Sequence, residues 1–416
     1  MSLFDDLQWR GLVHQLTDPD LPTLLDAGGL VAYIGFDPTA DSLHIGNLLQ
    51  LCNLRRLQEA GHQVIGLTGG ATGMIGDPGG KSEERNLLDS DTLATNVAAI
   101  NAQVERFLLP GAVFVDNAAW TRSLSVLDFL RDVGKHFTVN QMVAKESVKA
   151  RLERPDQGIS YTEFSYMLLQ AMDYLHLFDL YGCRLQLGAS DQWGNITMGV
   201  DLIRKVRGET AYGLTTPLVL KADGTKFGKS ETGTVWLDAA RTSPYQLFQF
   251  LIQSEDAVVG SYLRYFTWLD RARIEELDEA TRSHPERREA QRALAWEVTA
   301  LVHGDAEADR ARHAAAVLFT EEIAELDERA LLDVFTDAPA TVVAREPVAL
   351  VDVLTQAGVT SSKSDARRQI QQGGVYVNNR RESDVDRVLD PTADTLHGRY
   401  VVLRRGRTTH HLVSFG

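Results

Sequence analysis

Two short stretches of this 416-residue chain carry residue types suited to polyphosphate chemistry. The first runs Phe36-Asp37-Pro38-Thr39-Ala40-Asp41-Ser42-Leu43-His44-Ile45-Gly46-Asn47. A His and a Gly two residues apart at a helix start suit an ATP phosphate. The helix end offers unpaired N–H groups and partial positive charge, Gly46 admits a nucleotide close to the backbone, and His44 can donate to a phosphoryl oxygen. A capped helix with an incidental His would read the same way. The second stretch, Lys226-Phe227-Gly228-Lys229-Ser230, sets two lysines three apart on a glycine-containing loop. Such a loop can close over ATP and stabilise charge developing on the leaving pyrophosphate. Taken singly it is also an ordinary exposed basic turn.

A third pattern lies on a helix expected to start near Thr162. Tyr166, Gln170 and Asp173 fall at i, i+4 and i+7 and so share one face. They sit among Met167, Leu168, Leu169, Ala171, Met172 and Leu175. A polar stripe on so apolar a helix is either its solvent side or a lined pocket, because burial without partners is costly. Residues 66–80 hold seven glycines and end in Gly80-Lys81-Ser82. Gly76 and Gly80 enclose three residues where a P-loop needs four, so a P-loop ATPase is rejected.

Alternating elements must position these groups. Val31–Phe36 is a short apolar run and reads as a buried strand. Asp41 or Ser42 then offers an N-cap, Leu48, Leu51, Leu54 and Leu57 follow at helical spacing, and Gly61 ends that helix. Further strands are expected at 64–67, 112–115, 184–187 and 217–220, with a helix over 92–108. Strands separated by helices imply right-handed crossovers and a doubly wound, Rossmann-like α/β domain with a parallel sheet. Such folds bind ligands beyond the carboxyl ends of their strands. The expected division is a catalytic domain over 1–235 with an insertion at about 120–160. An Ala-, Leu-, Glu- and Arg-rich helical domain over 236–335, a linker over 336–346 and a small α+β domain over 347–416 follow. On the insertion, Lys145, Lys149 and Arg151, with Arg154 beyond, are either a solvated helix face or a phosphate-contacting ridge.

Composition narrows the function classes. Hydrophobic residues make up 44% and charged residues 24%, a globular balance. No apolar run approaches the roughly 20 residues that cross a bilayer, and the start has no signal-type core. Cys52 and Cys183 are the only cysteines, which excludes a disulfide framework or a Cys-rich zinc site. A cytoplasmic location follows, with no membrane partner. The net charge of −15 argues against nonspecific coating of nucleic acid, and no DNA partner is expected. Residues 346–416, however, carry ten Lys and Arg against eight Asp and Glu, a slightly basic tail on an acidic body.

The His-x-Gly and Lys-Phe-Gly-Lys-Ser stretches together resemble the His-Ile-Gly-His and Lys-Met-Ser-Lys-Ser signatures of class I aminoacyl-tRNA synthetases. The run Tyr33–Asn47, the run Gly69-Gly70-Ala71-Thr72-Gly73-Met74-Ile75-Gly76-Asp77-Pro78, the stretch Thr162–Tyr166 and Ser190-Asp191-Gln192-Trp193-Gly194-Asn195 are similar to the bacterial tyrosyl-tRNA synthetase family. The resemblance covers nearly the whole chain. It implies that L-tyrosine is activated with ATP to tyrosyl-adenylate and then passed to the 3′ end of tRNA(Tyr). Tyr166, Gln170 and Asp77 would hold the ammonium group. Asp173 would accept from the phenol, Tyr33 would donate to the same oxygen, and Gln192 would lie near the carboxylate. Gly35, Asp37, His44, Gly46, Asn47, Asp191 and Lys229 would meet ATP, with Asp191 on the ribose. Thr39, His44, Lys81, Arg85, Lys226 and Lys229 would clamp the transition state. Mg²⁺ is implied by ATP, with no dedicated metal site and no prosthetic group. A homodimer formed around the insertion is also implied. Two departures stand out: Asn47 replaces the second His, and Phe227-Gly228 replaces Met-Ser.

The tail resembles the alpha-L RNA-binding module. It is expected as helix 350–357, helix 364–372, Gly373-Gly374, and strands at 375–377 and 400–403. Lys363, Arg367 and Arg368 would contact RNA. Three rival readings compete with this one. A tryptophanyl-tRNA synthetase is disfavoured by Tyr33, Asp173 and the tail. A small-molecule adenylyltransferase would not need the tail. A non-catalytic RNA-binding protein on a synthetase scaffold is disfavoured by the presence of His44, Lys226 and Lys229.

Overall fold

The computed structural model describes the chain except residues 79–87, 154–157, 231–232, 319, 337 and 407–408, and except the side chains of residues 147, 150, 229 and 230. Two compact units emerge, each built from separated segments. One comprises Met1–Arg241 with Ser254–Ala290, the other Thr242–Gln253 with Gln291–Gly416.

The first unit is organised by a six-stranded sheet: β1 (Gln15–Leu16), β2 (Val31–Phe36), β3 (Gln63–Thr68), β4 (Val113–Asp116), β5 (Leu185–Ala189) and β6 (Tyr212–Thr216). The spatial order is β1-β6-β5-β2-β3-β4. The five longer strands run parallel, and β1 adds a short antiparallel edge against β6. Strands β2 and β3 read as apolar runs rather than alternations because helices cover both faces of the sheet. The strand expected at 217–220 is instead β6, upstream. Pro217 has no N–H to give a ladder, and Leu220 makes only an isolated bridge to Lys226.

Strand order reverses between β2 and β5, the switch point at which such sheets take ligands. These strands pair only through Ala32–Leu185 and Tyr33–Gln186, so their carboxyl ends part beyond Tyr33. The helix after β2, α1 (Ile45–Glu59), buries Leu48, Leu51, Leu54 and Leu57 as its spacing predicts. Its N-cap is His44 rather than Asp41 or Ser42. Ser42 turns inward, donating to the Leu43 carbonyl and accepting from Gln103, while Asp41 pairs with Arg241. Gly61 follows the C-cap, Ala60, at φ 85°. The helix expected over 92–108 is α2 (Ser90–Phe107).

The insertion is a series of short helical pieces ending in α3 (Glu146–Leu152). Lys145, Lys149 and Arg151 do not make one ridge, and Arg154 lies outside the described residues. Arg151 is buried against Glu163 at 3.0 Å, Lys145 donates to Thr197 Oγ1 at 2.8 Å, and Lys149 pairs at 3.8 Å with Glu153. Glu163 lies in the first turn of α4 (Tyr161–Tyr181), a 21-residue helix capped by Ser160 and closed by Gly182 in the left-handed conformation. Helix α5 (Trp193–Arg207) follows β5.

In the second unit, Pro244–Ile252, Asp305–Val317 and Glu328–Val334 are helical. The tail adds α-helices over Leu350–Gln356 and Lys363–Gln371 and a five-stranded sheet. Its tight hairpin turns through Asn378 and Asn379, at φ 45° and 62°. Leu350, Leu354, Ile370, Val375, Val401 and Leu403 form its core. Among the described residues no helix is long and apolar enough to cross a membrane.

Candidate active site

The polar stripe of α4 faces inward. Tyr166 and Asp173 are buried, and both join networks rooted at the carboxyl ends of the strands. Tyr166 donates from its hydroxyl to Asp37 Oδ2 at 2.9 Å, and Thr72 donates to the other Asp37 oxygen at 2.9 Å. Asp173 accepts from Asn117 Nδ2 at 2.9 Å and from Trp120 Nε1 at 2.8 Å. Burial nonetheless pushes the Asp173 carboxyl up to about 7, with Asp37 and Asp116 adding, because the two donors offset only part of the desolvation. Tyr33, 1% exposed on β2, has no hydrogen-bond partner for its hydroxyl among the described residues. Burial, with the Asp173 charge next in size, drives its phenol well above the usual range. A buried hydroxyl without a partner beside a carboxylate is costly as it stands, which marks the place of a polar ligand group.

The middle of the stripe, Gln170, meets the turn after β5. Gln192 donates to Asp77 Oδ2 at 2.7 Å and accepts from Gln170 at 3.3 Å and Asn195 at 3.2 Å. Beside it Asp191 reaches solvent yet is crowded by protein. Desolvation, with Asp77 adding and Lys226 opposing, holds its carboxyl above its ordinary range. In the described part of the glycine-rich stretch, small residues allow close packing. A Cβ at Gly69 would strike Asp37 and Thr72, and one at Gly70 would strike Asp116, whose carboxylate accepts the Gly70 N–H at 3.0 Å.

The basic loop comes to the start of α1. Ile45 donates from its backbone to Val235, Leu237 donates to Leu43, and His44 bridges Trp236. Asn47 accepts the His44 N–H at 3.2 Å, so it also closes the helix start. Gly228, at φ 96°, lies where a Cβ would be 2.8 Å from Ile45 and 3.4 Å from the Gly46 nitrogen. Only glycine allows that approach. Phe227 is buried, its ring 4.5 Å from Tyr262 and 5.6 Å from Phe266 on α6 (Asp256–Phe266). Tyr262 donates to the Leu220 carbonyl at 2.7 Å, which ties the other end of the loop. Lys226 and Thr39 are exposed, Gly35 is open at the strand end, and the Lys229 backbone pairs with Thr234. The Lys229 side chain, Lys81 and Arg85 lie outside the described atoms.

Thus Tyr33, Asp37, Asp77, Tyr166, Gln170, Asp173 and Gln192 lie close together in the first unit, and His44, Gly46, Asn47 and the loop gather at the start of α1. Sequence reasoning missed Thr72, Asn117, Trp120 and Asn195. Asn117 follows the end of β4, so the rule about carboxyl ends of parallel strands was the one available signal. Lys363 pairs with Asp352 at 2.7 Å, Arg368 pairs with Asp365, and Arg367 is exposed, all in the tail.

Residues 26–320 match the family model described as tRNA synthetases class I (W and Y), which is the class this fold and cleft define. Residues 330–413 match the model described as the Tyrosine--tRNA ligase SYY-like C-terminal domain. The Tyrosine--tRNA ligase of Roseiflexus castenholzii is 52% identical over 99% of both chains, and that of Geobacillus stearothermophilus is 51% identical over 100% of both. A C-terminally truncated mitochondrial tyrosyl-tRNA synthetase of Aspergillus nidulans superposes with a TM-score of 0.68 at 32% identity, covering 76% of this chain and 94% of its own. The chain belongs to the tyrosine–tRNA ligase family of class I aminoacyl-tRNA synthetases, enzymes that use ATP as substrate.

Proposed function

We propose that the cleft binds L-tyrosine with its phenol between Tyr33 and Asp173 and its ammonium among Tyr166, Gln170 and Asp77. The observation that carries this is the unpartnered, buried Tyr33 hydroxyl beside an Asp173 carboxylate aimed by Asn117 and Trp120. A phenolic hydroxyl is both donor and acceptor, so one bound group satisfies both residues. Gln192 stands by the carboxylate of the amino acid, which attacks the α-phosphorus of ATP as pyrophosphate leaves.

No protein nucleophile is required. Positioning and charge stabilisation supply the rate. His44, Thr39, Lys226 and Lys229 meet the phosphates, with Lys81 and Arg85 joining them. Gly35 and Gly46 make room for the nucleotide, Asp37 and Asn47 contact it, and Asp191 takes the ribose. Mg²⁺ enters on the ATP phosphates.

The first unit would form the adenylate, and the helices and tail of the second would hold tRNA(Tyr), with Lys363, Arg367 and Arg368 toward its phosphates. The boundaries differ from those expected: Ser254–Ala290 belongs to the first unit, and within the expected 336–346 linker Ala340–Val343 is a strand of the tail sheet. The enzyme works in the cytoplasm as a homodimer joined around the insertion. Val126, Leu127 and Val139, exposed by 73%, 78% and 65%, support that surface.

ATP–pyrophosphate exchange across all twenty amino acids tests the reading. Tyrosine alone should support exchange, and exchange driven by tryptophan would overturn the pocket assignment. Raised salt should weaken tRNA binding, and joint Arg367→Ala and Arg368→Ala substitution should flatten that dependence.

A further inference from the structure

The hold on Asp173 extends to a residue with no part in binding. Trp120, in the short helix Ala118–Thr121, donates its indole N–H to Asp173 Oδ1 at 2.8 Å. The face of the same indole lies on the imidazole of His176, with ring centroids 4.3 Å apart and planes 19° apart. His176 is three residues beyond Asp173 on α4, so both project from one side of the helix toward the one indole. One fixes the indole at its N–H edge and the other across its plane. The carboxylate has a second donor, Asn117, but Asn117 is itself bound to Thr72 and to the Ala71 N–H. Trp120 has no such backbone tie through its ring. It is only half-buried, and Ser123, Ser125 and Val126 just after it are exposed. The indole packs at the edge of two apolar clusters, and the imidazole is the ring stacked on its face.

We propose that His176 is a specificity-positioning residue, whose stacked ring orients Trp120 so that Asp173 stays aimed at the phenolic hydroxyl of the substrate. This rests on the reading of Asp173 as the acceptor for that hydroxyl. Loss of the stack lets the indole swing and the carboxylate turn, which weakens tyrosine and leaves phenylalanine unaffected. The cost is a ratio, not a general loss.

Pyrophosphate exchange on the full chain, with kcat/KM for tyrosine and for phenylalanine and with thermal melting in parallel, tests it. His176→Ala should reduce the tyrosine-to-phenylalanine ratio about two- to tenfold, mainly by raising KM for tyrosine, with KM for ATP unchanged. His176→Phe, which keeps a flat ring, should restore the ratio. Trp120→Phe keeps a stacking ring but removes the donor, and should reduce the ratio further than His176→Ala. An unchanged ratio in His176→Ala, or equal losses for both amino acids, overturns the proposal. Should His176→Ala fail to fold, a Trp120→Phe enzyme with the wild-type ratio overturns it equally. Tyr33→Phe separates the two levels. If it leaves the ratio unchanged, the pocket reading itself fails. If it narrows the ratio while His176→Ala does not, only the role of His176 falls.

Discussion

Where we propose that the amino acid binds, Tyr33, Tyr166 and Asp173 are buried, whereas at the proposed nucleotide side Thr39 and Lys226 are exposed and His44 is half-buried. The buried side is fixed by side-chain hydrogen bonds that cross the sheet: Tyr166 and Thr72 to Asp37, Asn117 and Trp120 to Asp173, and Gln192 to Asp77. The exposed side is held by backbone contacts and by aromatic contacts such as that of Phe227, and among its described cations Lys226 is exposed. The contrast follows from the two tasks. Choosing one amino acid among twenty requires a fixed, desolvated polar site that leaves orphaned groups when the wrong ligand enters. Neutralising charge that appears only as pyrophosphate departs requires donors able to reach it at that moment.

The sharpest way to break this contrast is to remove the centre of the fixed side. Asp173→Ala strands the Asn117 and Trp120 donors together with the substrate hydroxyl, and should lower kcat/KM for tyrosine by about 10²–10³-fold. Its effect on kcat/KM for phenylalanine should be far smaller, so competitive exchange assays would record a collapse of selectivity. On the other side, His44→Ala should lower kcat about 10²-fold while the Kd of tyrosine, measured by equilibrium dialysis without ATP, stays close to wild type. A large loss of tyrosine binding with unchanged kcat would mean that the two sides are not separate devices.

Smaller changes sharpen the comparison. Tyr33→Phe removes one donor and should weaken tyrosine about three- to tenfold in kcat/KM without altering KM for ATP. The gentlest probe is pH. The Asp173 carboxyl, raised to about 7, is ionised above that value and protonated below it, and the phenol needs the ionised form as acceptor. Tyrosine affinity should therefore fall as pH drops from 8 to 6, by no more than about tenfold per unit, and Asp173→Asn should flatten that profile. In stability the sign runs the other way. The folded state holds a proton that the unfolded chain has released, so this group lowers stability as pH rises from about 4 toward 7. Bound tyrosine should accordingly raise Tm more at pH 8 than at pH 6, which differential scanning would record.

Local patterns carried their own meaning in this chain. The apolar runs of β2 and β3, the helical spacing of Leu48 to Leu57, the Gly61 that follows it and the short stretches around His44 and Lys226 all depend on neighbours within a few residues. Periodicity on α4 grouped Tyr166, Gln170 and Asp173 but left open whether their face met solvent. That was decided by Asp37, Asn117 and Trp120, which lie 129, 56 and 53 residues away from their partners in the chain. Arg151 shows the same limit, since a cation on a polar helix reads as solvated until Glu163 closes on it out of water. Likewise Ser42 looks like a cap until Gln103 draws it inward. Helices and strands form from short-range backbone geometry, so residue order specifies them. Which polar group is buried, and with which partner, depends on where crossovers bring distant strand ends together, and only the tertiary structure fixes that.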